Sequence, residues 1–228
     1  MLAVAGGKGG AGKTTTTLGL AGALARQRRT VVAADADREM PDLHAMAGVA
    51  REPGLDAVAA GWPAGLVAGA AGPPTPGVDV VPAASGPPDA RREDSDLGSP
   101  LAGIRGCADA VLLDCPAGAG PDAVAPLRAA DAAVVVTTPE PACLRDAAKT
   151  AAMARELDTP VAGAVLSRTG DPPGGVGRLL DCPVLGVVPD AGVRSAADVG
   201  TSGAEPLASD GVRAAHDRIV SALRPKYL

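Results

Sequence analysis

Residues 7–14 read Gly-Lys-Gly-Gly-Ala-Gly-Lys-Thr, which matches the pattern G-x-x-x-x-G-K-[ST]. Each position in that spacing has a chemical reason. Glycines at 9, 10 and 12 let backbone N–H groups close on phosphate oxygens, Lys13 is placed to reach the β- and γ-phosphates of a nucleotide, and Thr14 offers a hydroxyl to magnesium. The pattern carries weight only where a strand leads into it and a helix leads out, because the helix adds the positive end of its dipole. Leu2–Ala5 is the expected strand and Lys13–Arg28 the expected helix.

The rest of the chain predicts the sheet that would hold such a loop. Short apolar runs at Thr30–Ala34, Val78–Val81, Ala110–Asp114, Ala132–Thr138, Val161–Leu166 and Val184–Val188 lack polar alternation, as strands covered on both faces do. Between them lie helical stretches near Leu55–Ala60, Pro100–Cys107, Ala123–Ala130, Pro141–Leu157 and Pro206–Leu223, with Pro141 and Pro206 at first-turn positions. This alternation predicts an α/β fold, a mostly parallel sheet with helices on both faces, in one domain over residues 1–228. Ser85–Pro100, with its charge run from Asp89 to Asp96, reads as a solvated loop.

Composition removes several function classes. Aromatics are 1% of the 228 residues, with Trp62, Tyr227 and no Phe, so there is almost no surface on which to stack a nucleobase. The formal net charge of −5 deprives nucleic acid or anionic lipid of an attracting field. Arg26, Arg28 and Arg29 cluster at the end of the first helix, where cations suit the dipole; a DNA-binding patch there is the alternative. Cys107, Cys115, Cys143 and Cys182 follow no zinc spacing and read as small buried hydrophobes in a reducing cytosol. His44 and His216 have no ligand-spaced neighbours and read as surface or helix-capping residues. The uncharged stretch 57–78 is interrupted by four prolines and five glycines, which argues against a membrane span, and no secretory signal is present, so the cytoplasm is the expected location.

A second lysine inside the loop narrows the reading. Lys8-Gly9-Gly10-Ala11-Gly12-Lys13-Thr14-Thr15 resembles the K-G-G-x-G-K-T-[ST] motif of the MinD/ParA family of P-loop ATPases. The resemblance implies a P-loop NTPase fold that binds ATP and Mg2+ and hydrolyses ATP as an ATP-dependent homodimer. It also implies that Lys8 reaches across the dimer to the partner's nucleotide.

Two further segments resemble the family's switches. Asp35-Ala36-Asp37 stands where the family carries a D-x-D, implying that Asp37 orients the attacking water and Asp35 supports the magnesium water shell. Taken alone, two aspartates ending a strand can equally cap the next helix. Glu39 and Asp42 depart from the glycine and asparagine of the MinD branch. Asp114-Cys115-Pro116-Ala117-Gly118 is similar to the D-x-P-A-G segment, implying a magnesium role for Asp114 and a γ-phosphate-facing N–H at Gly118. Val165–Arg168 and Gly186–Asp190 are similar to the strands beside the adenine, which places Arg168, Pro189 and Asp190 on the base side. Arg168-Thr169-Gly170 stands where the family's base-reading asparagine is expected.

The resemblance implies a spatial-positioning or assembly switch with an activator or cargo protein. Alternatives are a DNA-associated partition ATPase and a small-molecule ligase of the same superfold. The ending Leu223-Arg224-Pro225-Lys226-Tyr227-Leu228 carries two basic residues and a helix-breaking proline, so direct membrane binding is not expected.

Overall fold

The strand Leu2–Gly6 (β1) runs into the glycine loop, and the helix Lys13–Arg26 (α1) leaves it, in the computed structural model, which describes residues 1–83, 97–191, 205–223 and 227. There follow Val31–Asp35 (β2), the short helices Leu43–Ala47 (α2), Leu55–Ala59 (α3) and Ala64–Val67 (α4), then Gly69–Ala70 (β3) and Val78–Val81 (β4). Gly98–Ile104 (α5) precedes Ala110–Ala117 (β5), and a 3-10 turn at Pro121–Ala123 enters Val124–Ala129 (α6). The second half continues with Ala132–Thr137 (β6), Pro141–Glu156 (α7), Val161–Ser167 (β7), Val176–Leu180 (α8) and Val184–Val188 (β8). It closes with Glu205–Ala208 (α9) and Asp210–Ala222 (α10).

The eight strands form one sheet in the order β3-β4-β2-β5-β1-β6-β7-β8, parallel except for the β3–β4 pair. β1 is therefore central, flanked by β5 and β6. The chain leaves β1 toward β2 on one side and later crosses from β5 to β6 on the other. In open α/β sheets the crevice at such a reversal, beyond the carboxyl ends of the strands, is where ligands bind. The loop 7–12 lies there.

Side chains alternate across β1 to serve two cores. Leu2 and Val4 pack with Leu18, Leu20 and Leu24 of α1 and Ile219 of α10, whereas Ala3 and Ala5 face Leu101, Ile104 and Leu127 of the opposite helical layer. The predicted layering is thus present. Close approach of α1 and α10 depends on Gly19, because a Cβ there would stand 2.4 Å from Cε1 of His216.

Several expectations need correction. β5 does not end at Asp114 but continues to Ala117, and the Pro206–Leu223 stretch is two helices, broken where Ser209 is extended and Asp210 opens α10. α2, α4, α8 and the two-residue β3 were not anticipated, since four or five residues do not establish a period. The uncharged stretch 57–78 is divided among α3, α4, β3 and turns, and among the described residues no helix is long and apolar enough to cross a membrane. The Asp89–Asp96 charge run and the tail residues Arg224, Pro225, Lys226 and Leu228 lie outside the described residues.

Candidate nucleotide-phosphate site

The glycines of the loop are required by backbone conformation and by packing. Gly10 and Gly12 have φ of 74° and 89°, the left-handed region that side chains resist. A Cβ on Gly7 would lie 2.2 Å from the backbone carbon of Asp146, so α7 is seated directly against the loop. Gly12 caps α1 without a side-chain bond, and the first helical N–H to be used is that of Thr16, donating to Gly12 O at 2.9 Å. None of the N–H groups from Gly9 to Thr15 donates to an acceptor among the described residues. An arc of unused donors at the start of a 14-residue helix fits the oxygens of a phosphate chain. Ala11 and the stem of Lys13 are buried within this arc, while Thr14 and Thr15 are partly exposed on the first turn.

The carboxylates are assembled by strand register. Asp35 on β2 pairs directly with Asp114 on β5, and both are buried. Asp35 accepts the N–H of Asp37 at 3.0 Å and of Leu43 at 3.2 Å. Asp114 accepts the Thr17 hydroxyl at 3.1 Å, and the Thr14 hydroxyl donates to Asp42 at 2.8 Å. Burial, then the charge of Asp114, pushes the Asp35 carboxyl above the usual range against the pull of its two N–H donors. Burial pushes Asp114 up as well, opposed chiefly by the Thr14 hydroxyl and further by the field of Lys13.

Such crowding of hard oxygen donors suits a divalent cation. Magnesium is commonly held by one or two carboxylates together with water and substrate phosphates rather than by a complete protein cage. The described residues contain no group of three or more His, Cys, Asp or Glu able to hold a metal alone. The buried, register-paired carboxylates of Asp35 and Asp114, with the Thr14 hydroxyl on the first turn of α1, are oxygen donors of the kind that would hold magnesium beside a bound phosphate. Asp42 and Thr17 were missed as members of the cluster. Thr17 carried a signal, since it lies one helical turn from Lys13 and Thr14; Asp42 reaches Thr14 only through the path of the chain between β2 and α2.

The remaining expected residues are distributed around this centre. Lys8 is exposed at the tip of the loop and makes no ion pair among the described residues. Asp37 turns Oδ1 back on its own segment, accepting the N–H groups of Glu39 at 3.1 Å and Met40 at 2.9 Å. Gly118, with φ of 91°, corrects one expectation: its N–H donates to Gly6 O at 3.0 Å, because β5 runs on beside β1, and so does not face the loop hollow. Arg168 donates from Nη2 to Gly10 O at 2.6 Å. Pro189 and Asp190 follow β8, whose Val188 carbonyl accepts the N–H of Thr169, so the segments after β7 and β8 lie side by side.

Other expectations part from the structure. His216 is fully buried against Gly19 within α10, with Nδ1 2.8 Å from Val212 O, where a surface or helix-capping position was expected. Cys107 is exposed; Cys115, Cys143 and Cys182 are buried, and burial raises the Cys115 thiol out of any reactive range. Arg26 pairs with Asp217 at 2.7 Å, and Arg29 donates to Asp109 O at 3.0 Å, so two of the three clustered arginines are held by the protein itself.

Known proteins resemble this chain in sequence and in fold. The CobQ/CobB/MinD/ParA nucleotide-binding domain matches residues 2–198. An uncharacterized ATP-binding protein of Methanocaldococcus jannaschii is 36% identical over 208 residues, spanning 88% of this chain and 78% of that protein. The crystal structure of the cell division ATPase MinD of Pyrococcus furiosus aligns with a TM-score of 0.80 at 28% identity, over 97% of this chain and 96% of that one. The septum site-determining protein MinD of Pyrococcus horikoshii, complexed with Mg-ADP, also aligns at 0.80, with 27% identity over 96% and 93% of the two chains. A match over residues 2–198, together with a relative 36% identical over most of both chains, shows that the chain belongs to the CobQ/CobB/MinD/ParA family of nucleotide-binding domains.

Proposed function

We infer that the chain, acting as one domain over residues 1–228, binds Mg-ATP, closes into a homodimer with the nucleotides between the subunits, and hydrolyses ATP slowly as a positioning or assembly switch in the cytoplasm. The observation that carries the reading is the arc of free N–H donors from Gly9 to Thr15 facing out beside the buried pair Asp35 and Asp114. The N–H arc and Lys13 hold the phosphates, and Thr14, Asp35 and Asp114 hold the cation and its water. Magnesium supplies neutralisation of the phosphate charge. Oδ2 of Asp37 accepts no hydrogen bond from a described residue and is the oxygen that orients the attacking water. Lys8, exposed and unpaired among the described residues, is the group that crosses to the second subunit. The partner is an activator or cargo protein.

The rival readings have less support. Two of the arginines required for a DNA face already hold Asp217 and Asp109. A ligase requires an acceptor pocket at the phosphates; the cavity of about 400 Å3 lined by Leu101, Arg105, Val124 and Arg128 lies between α5 and α6 and does not supply one.

Light scattering of the protein with ADP, ATP and magnesium tests the reading. The wild-type chain doubles in mass on Mg-ATP only, and Lys8→Ala binds ATP but stays monomeric. A Lys8→Ala protein that still dimerises on ATP rejects the sandwich.

A further inference from the structure

The end of β7 grips the phosphate loop from outside. Ser167, the last residue of β7, is buried and donates its hydroxyl to Ala11 O at 2.6 Å, with Thr137 O farther off at 3.3 Å. Arg168, next in the chain, donates to Gly10 O at 2.6 Å. Two consecutive side chains therefore hold two consecutive loop carbonyls. Contact is close, because a Cβ on Gly12 would touch Ser167 Oγ at 3.4 Å. Arg168 adopts φ of 57°, a conformation uncommon for a residue with a side chain, while it makes this contact.

Peptide geometry turns this grip into a statement about phosphate. In a planar trans peptide the C=O and the N–H point in opposite directions. The carbonyl of Gly10 shares its plane with the N–H of Ala11, and the carbonyl of Ala11 shares its plane with the N–H of Gly12. Fixing both oxygens toward β7 aims both N–H groups away from it, and neither has an acceptor among the described residues. A glycine-rich loop without that restraint has access to flipped peptides that present a carbonyl oxygen to an anion. Preorganised donors bind without the cost of ordering.

We propose that Ser167 and Arg168 are positioning residues for the nucleotide's β-phosphate, acting through the carbonyls of Ala11 and Gly10, and that Arg168 serves the phosphate end rather than the base. The proposal rests on the nucleotide reading above. Arg168→Ala, Arg168→Lys and Ser167→Ala are titrated with ADP, AMP and GDP in the presence of magnesium, with melting temperatures measured alongside. Each alanine variant loses roughly 5- to 30-fold in ADP affinity, the scale of one hydrogen bond, while AMP affinity and the ADP-to-GDP ratio hold. Arg168→Lys regains most of the loss, since an ammonium still donates to Gly10 O. Arg168 is exposed, so its variants carry the test even where Ser167→Ala fails to fold. Unchanged ADP affinity in Arg168→Ala overturns the proposal, as does an equal loss for AMP or an altered ADP-to-GDP ratio. Wild-type protein that binds none of the three nucleotides overturns the nucleotide reading itself, and the proposal with it.

Discussion

Asp35 and Asp114 are direct neighbours in the register of β2 and β5, two buried carboxylates side by side, with the field of Lys13 reaching Asp114. The arrangement opposes folding in the absence of a cation and favours binding one, which is the usual direction of a stability–function conflict. Asp114→Asn keeps the shape and removes one charge. It raises the stability of the metal-free protein by about 1 kcal/mol, which for a chain of this size is roughly 2–4 °C in melting temperature. The same variant loses the magnesium-dependent part of its ADP affinity, read by titration with and without a chelator.

Lys13 stands at the start of α1 with its stem against Gly6. Charge-assisted bonds to phosphate oxygens contribute about 1.5–3 kcal/mol each, so losing two amounts to roughly 10²- to 10⁴-fold. Lys13→Ala accordingly abolishes measurable binding of labelled ATP at micromolar protein, and unchanged affinity rejects the phosphate-loop assignment.

Asp37 holds its own loop through Oδ1, so alanine there would remove both a charge and a turn. Asp37→Asn separates the two, because the amide oxygen still accepts the N–H groups of Glu39 and Met40. Turnover falls by roughly 10²-fold or more, on the scale of general acid–base contributions. The dimer formed on Mg-ATP persists, and light scattering over hours shows it failing to dissociate.

His216 gives the fold a pH dependence separate from the site. Burial, and then the positive charge of Arg26, lower its pKa to about 4 against the opposite pull of the Val212 carbonyl on Nδ1 and of Asp217. A histidine with a depressed folded pKa contributes stability that is fully present above about 6.5 and is lost as pH falls toward 4, because the unfolded chain takes up the proton first. Stability is expected to drop by about 2 kcal/mol between pH 7 and pH 5. His216→Gln flattens that slope in denaturant titrations at the two pH values. An equal slope in the variant assigns the effect to other groups.

The residues 7–14 determined by themselves that a phosphate cradle stands between a strand and a helix, because glycine conformation, helix dipole and lysine reach are local properties of a continuous segment. Apolar runs without alternation likewise determined a parallel sheet covered on both faces, since burial on both sides leaves no polar period to read. Neither local rule specifies which strands are neighbours. That Asp35 lies beside Asp114, that Asp42 reaches Thr14, that His216 fills the space over Gly19, and that Ser167 and Arg168 clamp Ala11 and Gly10 were decided by tertiary structure. Those contacts join residues far apart in the chain through register and the crossing of β5 to β6 over β1. A one-residue slip in register would turn an aspartate to the other face of the sheet. Local pattern supplied the parts of the site, and long-range packing aimed them.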